Sequence, residues 1–438
     1  MKDAFYDLAA QLERGLRAGE VLLLGLDAER SDFVRFNRGR VRQAGSVEQR
    51  TLEVRLLAAG RQASATLELG DGGGDFEQAQ DALGALREAF EGLPEDPWLL
   101  INETPASSDS ERRGTLPAAD AVVEQVVGAA SERDLVGLYA GGTVYRGFAN
   151  SLGQRNWHAV DSFNFDWSLH APSGQAVKYA SAGFDWDAAA LAAQLDTAAA
   201  ALARLAAPPR RLAPGEYRAY LAPRAMEELM GLLAWDGFSA RAQATKQSPL
   251  LRMAQGAQLS PALTVVENCA AGIAPPFQED GFVRPPRLTL IDGGRLGATL
   301  VAPRTAKEYR LEPNGADAGE APESLELAAG TLPQADALAA LDTGLYVSNL
   351  WYLNYSDRAA GRITGMTRFA TFWVEGGRIV APVDAMRFDD TLYRMLGENL
   401  EALTAERELL LDPSTYEGRS TASARLPGAL LRALRFTL

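Results

Sequence analysis

Glu216–Arg241 is the stretch that most narrows what this chain can become, because it reads as a strand, a sharp turn and a helix in succession. The turn falls at Ala222-Pro223, and the helix is expected to end near Gly237. Proline suits the first helical turn, where its missing N–H leaves no bond unmade. Glu227 and Glu228 fall early in the helix, where the macrodipole favours negative charge. Met226, Leu229, Met230 and Leu233 recur at three- and four-residue intervals, so one face is expected to be buried.

Upstream, residues 3–19 carry Phe5, Leu8, Leu12 and Leu16 at helical spacing. Short strands are expected at Val21–Leu26, Asp32–Asn37, Arg40–Ala44, Arg50–Leu57 and Ala63–Leu69, then a helix over Phe76–Phe90. Residues 92–118 read as loop, and Ala118–Ala130 as helix. Leu138–Gly153 reads as two strands about Gly141-Gly142. From Ser162, Phe163, Phe165, Trp167 and Leu169 alternate with polar residues, which predicts a half-buried strand with a partner strand ending at Ser181. A helix over Asp187–Ala206 runs into the proline-rich segment Ala207–Pro214, the best candidate boundary.

Downstream, strands are expected near Pro261–Asn268 and Arg287–Leu296. A long antiparallel meander follows over Gly344–Tyr355, Arg362–Glu375 and Arg378–Val383, leading to a helix that ends near Leu403. The fold class is therefore α+β in two domains: an amino-terminal α/β domain over 1–207 and a carboxy-terminal domain rich in antiparallel strands over 215–438. A chain of 438 residues is too long for one ordinary core, which agrees.

The formal net charge of −14 argues against sequence-independent nucleic-acid binding and against attraction to anionic lipid. The first residues lack the apolar run of a signal peptide, and no segment is long and apolar enough to span a bilayer. A single cysteine, Cys269, excludes an internal disulfide framework. These features together predict a cytoplasmic protein.

Motif by motif, chemistry is hard to place. Arg35, Arg38, Arg40 and Arg42 crowd one hairpin, which either holds a phosphate or carboxylate or is a solvated strand face. Asp71-Gly72-Gly73-Gly74-Asp75 lacks the Gly-Lys-Ser/Thr ending of a phosphate loop and reads as a flexible turn. His158, Asp161, Asp166 and His170 offer metal-ligand types without compact spacing, and polar surface positions are the default reading. No Gly-x-Ser-x-Gly elbow occurs, and neither a Cys269–His pair nor any carboxylate pair is singled out.

The strand–turn–helix at 216–241, the element Leu290-Ile291-Asp292-Gly293-Gly294-Arg295-Leu296 and above all the 344–390 meander resemble the TldD/PmbA family, the modulators of DNA gyrase related to metallopeptidases. In the active TldD-type members this helix carries a His-Glu-x-x-x-His zinc motif, with a further cysteine ligand near the carboxy terminus. Here the helix has no histidine and the last segment no cysteine. A catalytic zinc site needs about three protein ligands and an open position. The resemblance thus points to the PmbA (TldE) branch, with no catalytic or metal-ligating residue and no cofactor in this chain, and zinc in a partner.

It implies a non-catalytic subunit that pairs with a TldD-like zinc metallopeptidase and helps enclose unfolded peptide, held by main-chain pairing along a strand edge. Trp351, Tyr352, Tyr355 and Trp373 are the candidate peptide-binding residues, against the alternative that the meander's aromatics, Phe372 among them, simply fill its core. Alternation sends Trp351 and Tyr355 to one face and Tyr352 to the other. Two other classes stay open: a stand-alone or homodimeric peptide-binding protein, and a divergent peptidase with an unrecognised site.

Overall fold

A computed structural model describes residues 1–70 and 73–437. Asp71 and Gly72 of the glycine-rich turn lie outside the described residues.

The first half holds α1 (Lys2–Glu13), β1 (Glu20–Asn37), β2 (Arg40–Ala58), β3 (Arg61–Glu68), α2 (Asp75–Ala89), β4 (Ser108–Arg112), α3 (Ala119–Ala129), β5 (Asp134–Asn150), β6 (Arg155–His170), β7 (Ala176–Gly183) and α4 (Ala188–Leu205). Its sheet runs β3-β2-β1-β5-β6-β4, and β7 shares the outer edge of β6 with β4. Leu22, Leu24, Leu26, Val34 and Phe36 alternate along one face of β1, where helices α1 and α2 meet one end and α3 and α4 the other.

The short strands expected at 21–26 and 32–37 are one strand, as are those at 40–44 and 50–57. Glu29, Arg30 and Ser31 interrupt the apolar pattern, yet β1 pairs without a break from Glu20 to Arg35 because β2 and β5 flank it on both sides. Gly141-Gly142 likewise lies inside a continuous β5, where a Cβ on Gly142 (φ +145°) would come within 2.1 Å of the Arg30 carbonyl. Gly142 permits close strand approach, Gly141 leaves room for the Tyr139 ring, and neither turns the chain. The hairpin turn does fall at Arg38 (φ 53°) and Gly39 (φ 65°), as the primed turns require. The supposed loop 92–118 contains β4, paired in parallel with β6.

The second half opens with β8 (Gly215–Leu221) and α5 (Pro223–Gly237), then β9 (Val265–Glu267), β10 (Leu288–Asp292), β11 (Arg295–Leu296), β12 (Ser324–Leu327), β13 (Gly344–Asp357), β14 (Arg362–Glu375), β15 (Arg378–Pro382), β16 (Arg387–Thr391), β17 (Leu400–Leu411) and β18 (Ser423–Phe436). The sheet order β18-β16-β14-β13-β8 closes on itself, because β8 also pairs with β18. Helix α5 packs its Met226, Leu229, Met230 and Leu233 against Leu345 and Val347 of β13 and Leu431 and Leu434 of β18. The helix expected near Leu403 is a short π-helical turn at Arg394–Glu398 followed by β17. Leu396 and Leu403 are buried there, but β17 pairs with β18 and that ladder overrides helical spacing.

On β18, a Cβ at Gly428 would lie 2.1 Å from the hydroxyl of Tyr220, a residue 2% exposed. Gly428→Ala is expected to destabilise the protein by about 1–3 kcal/mol, read from the urea midpoint. A loss below about 0.5 kcal/mol would mean that Tyr220 has room to move.

Candidate functional site

The amino-terminal end of α5 faces the first sheet. Pro223 occupies the first helical turn, and the next side chain, Arg224, reaches out of the core. Its guanidinium donates to Asp166 of β6 at 2.9 Å and is ion-paired with Glu227 at 2.8 Å. Lys178 of β7 stands 3.2 Å from the same Asp166. Burial pushes Glu227 up to about 7 against the pull of Arg224, and raises Glu228 and Glu408 in the same sense. This end of the helix is an ion-paired seam between the two sheets. Its donors are a guanidinium, an ammonium and carboxylates, with no imidazole or thiolate, which do not fit a catalytic zinc. Among the described residues, no group of three or more His, Cys, Asp or Glu could hold a metal ion.

The four loosely spaced candidates on β6 do not converge. His158 is buried, with Nε2 3.1 Å from the Ile273 carbonyl, and burial lowers its pKa to about 4. Asp161 accepts from Thr143 and from the Gly114 amide, while His170 contacts Ser168. Cys269 is buried beside the Ala274 and Pro275 carbonyls, and burial pushes its thiol up to about 11, far from a reactive thiolate. Arg35, Arg38, Arg40 and Arg42 are exposed.

A groove runs between the halves. Its floor is the face of the first sheet turned away from the helices: Asp27 and Glu29 of β1, Gln49, Thr51 and Glu53 of β2, Thr66 and Glu68 of β3, and Arg146 of β5. Its roof is built from second-half loops carrying Glu279, Arg284, Asp317, Asp412 and Glu417. Three adjoining cavities of about 350, 740 and 410 Å³ share lining residues along it. Carboxylates outnumber arginines throughout.

Arg419, 6% exposed, closes the middle of the groove by donating to the Gly142 carbonyl and to both the carbonyl and hydroxyl of Ser162. Burial lowers its pKa to about 10, yet it stays a cation. Farther along, burial pushes Asp317 up to about 6, helped by its hydrogen bond with Glu323. Burial raises Glu323 too, but the Arg284 guanidinium at 2.5 Å outweighs it and holds this carboxyl below its ordinary range. Such a pair shares a proton under conditions where isolated carboxyls have lost theirs.

The aromatic candidates do not share a surface. Trp351 (51% exposed) and Tyr352 (79% exposed) stand outward, whereas Trp373 (8%) is packed edge-on against Tyr217. Tyr355 is half-buried and donates to the Leu232 carbonyl at 2.8 Å. The expected alternation over 349–355 fails because the β13–β14 register slips between Trp351 and Asn354, with Tyr352 in the left-handed region (φ 57°). Arg284, Asp317, Glu323 and Arg419, which shape the groove, belong to no spacing motif. They come from loops whose approach depends on how the two sheets pack, so sequence reasoning passed over them.

The family profile of the PmbA/TldA metallopeptidase C-terminal domain matches residues 214–437, just over half the chain. The structure of TldE from Thermococcus kodakarensis superposes with a TM-score of 0.79 at 14% identity, covering 99% of this chain and 100% of that one. A candidate modulator of a DNA gyrase from Thermotoga maritima gives 0.76 at 14%, covering 100% of both chains. Another from Bacteroides thetaiotaomicron gives 0.74 at 15%, covering 99% and 98%. No curated protein matches. The scaffold is thus that of a metallopeptidase-related protein. The chain belongs to the PmbA/TldD family.

Proposed function

We propose that this chain is the TldE-like, non-catalytic subunit of a two-chain peptidase, pairing with a TldD-like zinc subunit and holding unfolded peptide. The observation that carries this reading is the amino-terminal end of α5. There the resemblance places zinc ligands in active members, and this chain has the Arg224–Asp166–Glu227 ion-paired seam. The likeness to TldE supports the same branch. The groove supports the peptide role: β3 ends the first sheet, so among the described residues no strand pairs with its outer edge, and Thr66 and Glu68 of that strand line the 740 Å³ cavity. Trp351 and Tyr352 form a second exposed patch for the same task.

Co-purification from the native cell tests the pairing. The expected result is a stable equimolar complex with a His-Glu-x-x-x-His protein, zinc equimolar with the pair, and casein cleavage by the pair alone that a chelator stops. Stoichiometric zinc and chelator-sensitive cleavage by the isolated chain would overturn the proposal in favour of a divergent peptidase. A homodimer that binds unfolded peptide and recruits no zinc protein would overturn it in favour of a stand-alone binding protein.

A further inference from the structure

A separate cavity of about 290 Å³ lies beside the meander. It is lined by the Gly174-Gln175 turn, the end of α4, the Thr367–Thr371 stretch of β14 and the Pro382–Ala385 connection. It is set apart from the long groove, sharing no lining residue with it. Its size suits an amino acid or a dipeptide, at the small end of ligand cavities.

Two charged residues line it, Arg368 and Asp384, both exposed. Neither has an ion-pair partner among the described residues, whereas Arg358, Arg362 and Arg394 nearby are paired. The Arg368 guanidinium lies instead over two rings, 5.6 Å from the centre of Trp351 and 5.4 Å from that of Phe369. Stacking orients the planar fork while leaving its N–H donors for a carboxylate. Asp384 offers the matching acceptor for an ammonium group.

The backbone between them is bulged. The β13–β14 register passes from Val347↔Thr371 to Asn349↔Arg368, so Phe369 and Ala370 together face Ser348. Phe369 takes a left-handed conformation (φ 57°), which an aromatic residue adopts only at a cost of about 1–3 kcal/mol. The bulge sets Arg368 and Phe369 beside the cavity mouth. Thr371, also in the lining, is 1% exposed and its hydroxyl has no hydrogen-bond partner. Gln175 is held in place by its donation to the Leu205 carbonyl at 2.9 Å.

We infer that this cavity is a binding site for a zwitterionic amino acid or dipeptide, its α-carboxylate on Arg368 and its α-ammonium on Asp384. A ligand carrying one charge would leave the other residue unmatched. The inference rests on the proposed peptide-handling role only for preferring a peptide over another zwitterion, and it concerns the free ends that a peptide acquires when it is cut.

Isothermal titration calorimetry of the full chain with L-alanyl-L-alanine tests it. Saturable binding is expected, with N-acetyl-alanyl-alanine and alanyl-alanine amide each bound at least about tenfold more weakly, the effect of one lost charge-assisted hydrogen bond. L-alanine and tetra-alanine identify the source: tighter binding of the tetrapeptide assigns the site to the ends of longer peptides, and tighter binding of alanine to free amino acids. R368Q and D384N should each weaken the unmodified dipeptide to a similar extent. Both positions are exposed, so unchanged thermal unfolding is expected to accompany the loss. No heat at millimolar alanyl-alanine, or full affinity in both variants, would overturn the inference. Either result leaves the pairing experiment unaffected, so the two readings fail separately.

Discussion

Phe372→Ala is expected to destabilise the protein by about 3–5 kcal/mol and to weaken both halves together, because deleting a buried ring removes its transfer energy and leaves a cavity. Phe372 belongs to β14 in the second sheet and is 1% exposed. It shares a buried cluster with first-half residues: Trp167 and Val177 from the first sheet and Leu195 from α4. Ala370 joins it from the same strand, and Tyr346 stands 6.3 Å away, ring to ring. The two sheets are therefore joined by shared core as well as by the Arg224 and Arg419 contacts. Urea unfolding followed by both tryptophan fluorescence and circular dichroism provides the check. One transition with coincident probes is expected in wild type and variant, shifted to lower urea in the variant. Separate transitions, or a loss under about 1 kcal/mol, would show that the halves fold independently and that Phe372 fills little.

That shared core explains which parts of the molecule could be read from the chain alone. The strand–turn–helix at 215–237 was legible because its signals are local: a proline at the turn and apolar residues at helical spacing. Phe163, Phe165, Trp167 and Leu169 were legible for the same reason, and all four are buried. The long β1 and β2 were not, since their continuity through Glu29-Arg30-Ser31 comes from partners on either side. The end of α5 shows the same limit on a smaller scale. Trp235 and Asp236 leave helical geometry, and Arg358, from the tip of the β13–β14 hairpin, ion-pairs with Asp236 at 2.5 Å and lies over the Trp235 ring. The groove was invisible in sequence because its floor and roof come from different halves. The tightly spaced aromatics of the meander, conspicuous in the sequence, are divided by a bulge between core and solvent.

Glu267 gives a large pH dependence. It is 6% exposed on β9, and both carboxyl oxygens stand 3.1 Å from the Ser324 amide. Burial pushes its pKa from 4.5 up to about 7; the Ser324 amide and then Arg284 pull the other way and do not prevail. Between those two values the folded protein holds a proton that the unfolded chain has released. Stability must then fall as pH rises from about 4.5 to 7, by up to about 3 kcal/mol for this group. Glu267→Gln keeps an oxygen for the Ser324 amide and removes the ionisation. The variant is expected to match wild type within about 0.5 kcal/mol at pH 4, to lose less stability through the window, and to be about 2–3 kcal/mol more stable at pH 8. Glu227, raised to about 7, and Asp317, raised to about 6, work in the same sense, and His158, lowered to about 4, in the opposite one, so the variant keeps a residual pH dependence. Chemical denaturation across pH 4 to 8 measures this. A variant less stable than wild type at pH 8 would sink the argument, since the charged carboxylate would then be stabilised by Ser324 and Arg284 more than burial disfavours it.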